Sequence, residues 1–348
     1  MLWPGAAPQA PGGEQKGMRA VIVREFGPVE GATVGELPTP TPAPNEILLE
    51  THATAVNFVD LVVISGNHQF PPELPFVPGK GPAGVVSAVG SNVKVLRPGD
   101  RVLAMAEIGG YGEFVTVPES SCYVLPERMT FVEAAAMALA YDTAWFALRD
   151  RARYQPGDTV LVLGATGAVG LAAVQLAKSM GAKVLAGVAS RDKADIVHAA
   201  GADTLVDLSE SDLHNGLREQ VYAVTNDRGA DIILDPLGGD YFDAALRALA
   251  WRGRLVVIGF AAGRIPTVKA NYLLVKNIEV SGLQISDYRK RMPGQMAVCF
   301  KEIFALYEAG KLKPAPTKVY PIEDVVTALT DIRDRKVRGR IVLSQGKD

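Results

Sequence analysis

The period of the hydrophobic positions changes once along this chain, near Phe131, and the change divides the sequence. From Met18 to about residue 125, short apolar stretches alternate with Gly/Pro turns. Arg19–Val23, Glu46–Glu50, Ala83–Gly90, Arg101–Met105 and Tyr111–Val117 read as strands, and Arg97-Pro-Gly-Asp100 reads as a turn. This pattern predicts a compact, barrel-like β domain. Val132–Ala140 and Thr143–Leu148 read as helices. Strands and helices then alternate: Ala230–Asp235, a helix around Tyr241–Ala250, and Gly253–Gly259. Such alternation predicts a parallel, doubly wound sheet, with Ile278–Leu283 as its last strand. A helix over Ala297–Glu308 and a closing strand Arg340–Ser344 form a tail expected to return to the first domain.

One segment carries the most chemistry. Thr159-Val-Leu-Val-Leu-Gly-Ala-Thr-Gly-Ala-Val-Gly170 joins a buried strand to a helix by a glycine turn, and the helix's first turn has no bulky or acidic side chain. Amide N–H groups at a helix start lack partners and sit at the positive end of the helix dipole, so they bind phosphate. Gly167 and Gly170 match the second and third glycines of the dinucleotide fingerprint, with Ala165 at the first. Gly167, Ala168 and Val169 are therefore candidate cofactor contacts. The plain alternative is a tight turn that binds nothing. The next strand ends Val188-Ala189-Ser190, followed by Arg191 and Lys193, with no acid at its tip. An acid there would bond a ribose 2′-hydroxyl, whereas a hydroxyl and two cations suit a 2′-phosphate, so NADPH is expected over NADH. Asp192 lies between the cations and opposes this preference.

The length of 348 residues allows two domains, each with its own core. A formal net charge of −2, without a dense Lys/Arg block, implies no nucleic-acid surface. No uninterrupted apolar run is long enough to span a bilayer, so no membrane partner is expected. The two cysteines, Cys122 and Cys299, form no CxxC and point to a reducing, cytoplasmic setting. Residues 1–17 are rich in Pro and Gly, lack the pattern of a signal or transit peptide, and read as a mobile extension.

Taken in order, several motifs make the chain similar to a known family. They are Asn57-Phe-Val-Asp60, Pro75-Phe-Val-Pro-Gly79, Ala83-Gly-Val-Val86, Pro98-Gly-Asp-Arg-Val102, Thr143-Ala144, Gly164–Gly170, Asp235-Pro-Leu-Gly-Gly239 and Ile258-Gly-Phe260. From Met18 to about Leu343 the chain resembles the zinc-independent quinone oxidoreductases of the medium-chain dehydrogenase/reductase superfamily, the ζ-crystallin-like group. The resemblance implies an α/β fold: a GroES-like β-barrel catalytic domain (18–138) and a Rossmann doubly wound parallel sheet (139–283). Residues 284–348 would then return to the catalytic domain, with the cofactor in the cleft between the lobes. It also implies a homodimer, for which the strand Ile278–Leu283 is apolar enough. Zinc-dependent relatives carry Gly-His-Glu where this chain has Gly79-Lys80-Gly81, and Asp60 stands near where a ligand Cys would be. Zinc needs three or four converging ligands, and the four histidines are scattered.

Without a metal, the natural reaction is hydride addition to an already electrophilic acceptor, a quinone or an enone. The resemblance implies that Asn57 and Asp60 lie near the nicotinamide ribose, although both residue types also cap turns. It places Thr143 at the nicotinamide, the alternative being an N-cap or a buried hydroxyl. Gly259 and Phe260 end the strand expected beside the nicotinamide ring. His68 stands where such reductases commonly show Tyr and is a candidate proton donor, or else a loop histidine without a role. Tyr111 is a second donor candidate, with packing as its alternative. The expected activity is NADPH-dependent reduction of quinones. The alternatives are enoyl-thioester or enone double-bond reduction, and a non-catalytic NADPH-binding structural protein.

Overall fold

The computed structural model describes residues 17–346. The chain forms two compact units, one made of the described residues up to Leu139 with those from Pro316 onward, the other of Ala140–Ala315. Apart from Gly17, the expected N-terminal extension lies outside the described residues.

In chain order the first unit contains β1 (Gly17–Ile22), β2 (Thr33–Pro38), β3 (Glu46–Val56), α1 (Phe58–Ile64), β4 (Ala83–Val89), β5 (Arg101–Ala104), β6 (Phe114–Pro118) and β7 (Cys122–Val124). Helix α2 (Phe131–Phe146) runs across the boundary between the units. The second unit contains β8 (Thr159–Val162), α3 (Ala168–Ser179), β9 (Lys183–Val188), α4 (Ala194–Ala199), β10 (Thr204–Asp207), α5 (Leu213–Val224) and β11 (Ala230–Asp235). It continues through α6 (Gly239–Ala248), β12 (Leu249–Val257), α7 (Ala270–Lys276), β13 (Glu279–Gly282), α8 (Ile285–Arg291) and α9 (Pro293–Glu308). The chain closes in the first unit with β14 (Thr317–Pro321), α10 (Val325–Arg333) and β15 (Arg340–Ser344).

In the first unit β1 and β2 form a hairpin-like pair, and the larger sheet runs β14-β15-β3-β4-β5-β7 with β6 also on β3. Strand β15 lies antiparallel to β3, with Val342 opposite Ala55, so the C-terminal tail completes this sheet. Its cores are apolar: Ile47, Leu49, Val86, Val102 and Val117 pack in one cluster, and Val21, Val56, Phe76, Leu329 and Ile341 in another.

The second unit has one parallel sheet in the order β10-β9-β8-β11-β12-β13. Numbered from β8, this is 3-2-1-4-5-6, the order of a dinucleotide-binding sheet, with the topological switch between β8 and β11. Burial on both faces explains the consecutive apolar residues Val160–Val162 of β8 and Ile232–Leu234 of β11.

Four differences from the sequence reading have physical reasons. Strands β2 and β7 and helix α1 were not expected; each is short and lacks a clear period. The two predicted helices over 132–148 merge into α2 and the π-helical turn Ala147–Arg151 that follows it, with a kink where Ala138 leaves helical geometry (φ −50°, ψ −110°). Residues 284–315, expected in the returning tail, belong to the second unit. There the Trp145 indole N–H donates to Glu302 at 2.9 Å, and Arg289 pairs with buried Asp142 at 2.7 Å. Finally, Phe131–Arg151 is long and apolar enough to cross a membrane by composition, yet 78% of its most apolar window is buried within the fold. It serves as a core helix.

Candidate active site

In the second unit the phosphate-binding geometry is built from backbone. Strand β8 ends in a turn at Gly164, whose φ of +60° suits glycine, and Gly167 N-caps α3 in extended conformation. A Cβ on Gly170 would lie 2.3 Å from the Gly164 carbonyl oxygen and 2.7 Å from the Ala165 Cα. Only glycine lets the helix approach the turn so closely. Ala168 and Val169 form the first turn of α3, which has no acidic side chain. Its amide N–H groups thus meet no competing negative charge from that turn.

The second unit also carries the other cofactor candidates. At the end of β11 the Asp235 carboxylate takes N–H bonds from Leu237 (2.8 Å) and Gly238 (2.9 Å), while its Oδ2 is buried without a partner. Burial raises the Asp235 carboxyl above the usual carboxylate range. The Asp235 carbonyl accepts from the N–H of Ile258 at 2.8 Å, which sets Gly259 and the exposed Phe260 beside the Asp235–Gly239 turn. Beyond β9, the Ser190 hydroxyl is exposed and donates to Asp192, the acid that opposed the NADPH preference. Lys193 is half-buried in the turn before α4, and the Arg191 side chain lies outside the described residues. Thr143 lies inside α2 with its hydroxyl buried, and its N–H donates to Asp142 at 2.7 Å. It is not an N-cap.

In the first unit the candidates form a side-chain network. Asn57 precedes α1 and Asp60 sits in its first turn, where the Asp60 carboxylate accepts the Asn57 N–H at 2.8 Å. This is half of a capping box. The Tyr111 hydroxyl donates to the same carboxylate oxygen, also at 2.8 Å. Asn57 donates its amide to the Ala55 carbonyl at 3.2 Å and accepts from Arg340 at 2.9 Å. Arg340 in turn donates to the Ala136 carbonyl at 3.1 Å. All four side chains are buried.

Burial pushes the Asp60 carboxyl above the usual carboxylate range, although bonds from Asn57 and Tyr111 and the charges of Lys80 and Arg340 pull it back. Burial, reinforced by the Asp60 charge, holds the Tyr111 phenol well above its ordinary range. Tyr111 therefore spends its one proton on Asp60 and is fully packed, as its plainer reading had it. Asp60 is 1% exposed and acts as a capping carboxylate at the start of α1. His68 is not joined to this network; its Nδ1 accepts the Phe70 N–H at 3.2 Å across a loop. Arg340 and Lys80, which the structure joins to buried polar partners, were not among the candidates read from sequence. Nothing near Arg340 in sequence signals its partner, while Lys80 was noticed only as the residue standing where a histidine does in zinc-dependent relatives.

Comparison with known proteins agrees with this architecture. Residues 43–127 match the family described as "Alcohol dehydrogenase GroES-like domain", and residues 168–301 match that described as "Zinc-binding dehydrogenase". The "Quinone oxidoreductase-like protein 2 homolog" of Nematostella vectensis is 35% identical over 95% of this chain and 90% of its own length. Among solved structures, the Escherichia coli quinone oxidoreductase complexed with NADPH superposes with a TM-score of 0.87 at 29% identity, covering 94% of this chain and 99% of that one. The CurK enoyl reductase superposes with a TM-score of 0.84 at 27% identity, over 95% and 99% of the two chains.

Proposed function

The chain belongs to the quinone oxidoreductase-like, ζ-crystallin-like group of the medium-chain dehydrogenase/reductase superfamily, and we propose that it reduces quinones or related electrophilic carbonyl compounds with NADPH and without zinc. The cofactor fits the residues present. The cradle at Gly164, Gly167 and Gly170 has no Cβ in the way of a pyrophosphate, and a side chain on Gly170 would strike backbone. When bound, NADPH supplies the hydride. Gly167, Ala168 and Val169 would hold its pyrophosphate, Ser190, Arg191 and Lys193 its 2′-phosphate, and Thr143, Gly259 and Phe260 its nicotinamide. The Escherichia coli relative, itself a complex with NADPH, supports the choice.

The observation that carries the zinc-free reading is Lys80. Its ammonium is buried and paired with Glu107 at 2.5 Å, and its charge acts on Asp60. A cation held among the positions that supply ligands in zinc-dependent relatives opposes a metal dication there. Asn57 is kept as a candidate near the nicotinamide ribose, and His68 as a candidate donor to the acceptor. Reduction of an enoyl thioester is the second reading, favoured by the likeness to an enoyl reductase.

The deciding experiment follows NADPH and NADH oxidation with an ortho-quinone and a 2-enoyl-CoA offered in parallel. Fast NADPH-dependent reduction of the quinone alone is the expected result. Turnover of the enoyl-CoA alone moves the function to double-bond reduction; tight NADPH binding with no turnover makes the chain a binding protein. We further propose a homodimer through β13, which pairs only with β12 in its sheet and lies beside the exposed Leu274 and Val275 of α7. A single 37.0 kDa species in sedimentation equilibrium at micromolar concentration would overturn it.

A further inference from the structure

We propose that Lys80 is a catalytic residue, the donor that bonds and protonates the acceptor's oxygen during reduction, with Glu107 as its positioning partner. The proposal rests on the reductase reading above.

Lys80 is the only lysine buried among the described residues. The backbone turns it inward through two glycines in left-handed conformation, Gly79 (φ +96°) and Gly81 (φ +66°). Neither could carry a side chain without displacement. A Cβ on Gly79 would lie 2.4 Å from the Tyr111 ring, and one on Gly81 would lie 2.9 Å from the Ala138 Cβ. Hydrogen bonds from Gly110 N–H to the Gly79 carbonyl (3.1 Å) and from Gly81 N–H to the Ala106 carbonyl (3.2 Å) fix the segment against the 105–111 loop.

The ammonium donates to the Glu107 carboxylate at 2.5 Å and to the Glu107 carbonyl at 3.0 Å. An ammonium has three donors, so one N–H has no acceptor among the described residues. Burying such a charge costs free energy that an apolar side chain would not. The other donor candidates are engaged or remote: the Tyr111 hydroxyl donates its hydrogen bond to Asp60, and His68 sits in a loop outside the network. Glu107 is one-third exposed, so the pair reaches solvent on that side.

The chemistry balances. The conjugated carbonyl system of the acceptor takes the hydride from bound NADPH, which becomes NADP+, and the π electrons collect on oxygen. That oxygen takes a proton from the Lys80 ammonium. The resulting amine regains a proton from solvent, and Glu107 keeps its negative charge throughout.

The test compares wild type, Lys80→Met and Lys80→Arg as full chains. Three readouts are NADPH affinity by nicotinamide fluorescence, kcat and KM with an ortho-quinone, and the ionisation of bound 4-nitrophenol by absorbance. Lys80→Met is expected to lower kcat about 100-fold, the size of losing one oxyanion donor. Its NADPH affinity should stay unchanged, and bound nitrophenol should become less ionised than in wild type. Lys80→Arg should recover part of both losses. A Met variant with wild-type kcat overturns the assignment. If that variant does not fold, Lys80→Arg decides alone: a drop in kcat at constant NADPH affinity supports Lys80, and wild-type kcat and nitrophenol ionisation overturn it. A wild type that reduces neither quinone nor enoyl-CoA defeats the reductase reading itself, before any variant is made.

Discussion

The second unit makes its candidate cofactor site from backbone, and the first unit makes its polar site from side chains drawn from across the chain. At Gly164–Gly170 the functional groups are helix N–H groups, and the sequence's task is to keep side chains away. Around Asp60, by contrast, Asn57, Lys80, Tyr111, Glu107 and Arg340 are buried or half-buried polar groups that must find one another. A backbone site fails when something is added, and a side-chain network fails when something is removed. The two regions should therefore break under opposite kinds of mutation.

The largest effect is expected from adding one carbon to the backbone site. In Gly170→Ala the new Cβ meets the Gly164 carbonyl oxygen and the Ala165 Cα, neither of which is a flexible side chain. Overpacking against main chain costs about 3 kcal/mol, and the cradle must widen to relieve it. NADPH affinity measured by fluorescence should fall about 100-fold, about 2.7 kcal/mol, with a lowered melting temperature. An alanine variant that binds NADPH as wild type does would show that the close approach is not needed for binding.

In the first unit the sharper change is removal. Tyr111→Phe deletes the phenol that donates to Asp60 and leaves a buried carboxylate with one donor fewer, a loss of about 2 kcal/mol in unfolding free energy. The network also sets a pH dependence. The folded-state pKa of Asp60 is raised, chiefly by burial. Its contribution is then fully present below the unfolded value, about 4, and is lost as pH rises through the folded value. Asp60→Asn should flatten the pH dependence of stability from about pH 4 upward. Urea titrations across that range check it, and an unchanged slope would mean that Asp60 titrates alike in both states.

The contrast also explains what could be read in advance. The glycine turn, the strand Ala230–Asp235 and the strand Arg340–Ser344 were legible because local pattern decides them, and the last two match the structure end to end. The capping of α1 was legible too: Asn57 and Asp60 stand three apart, a helix-start spacing, and a cap was weighed for both beside a functional role. The pairings Arg340–Asn57, Asp142–Arg289 and Tyr111–Asp60 join residues far apart in sequence, and no local period encodes a partner. Lys80 was visible as an anomaly, yet only its burial and its glycine flanks give it a role.

The smallest expected effect tests the one part of the cofactor site that does depend on side chains. Ser190 is aligned by Asp192, whose negative charge opposes a 2′-phosphate, so a preference for NADPH would have to rest on a cation such as Lys193 in the same turn. Lys193 is only half-buried, and solvent screens its charge, which limits its worth. Lys193→Glu should weaken NADPH about tenfold, about 1.4 kcal/mol, and NADH by less than about twofold, because only NADPH carries the second charge that the lysine meets. Equal losses for the two cofactors would remove Lys193 from the 2′-phosphate site. They would also leave the selectivity of this turn, like the rest of the second unit's site, to backbone.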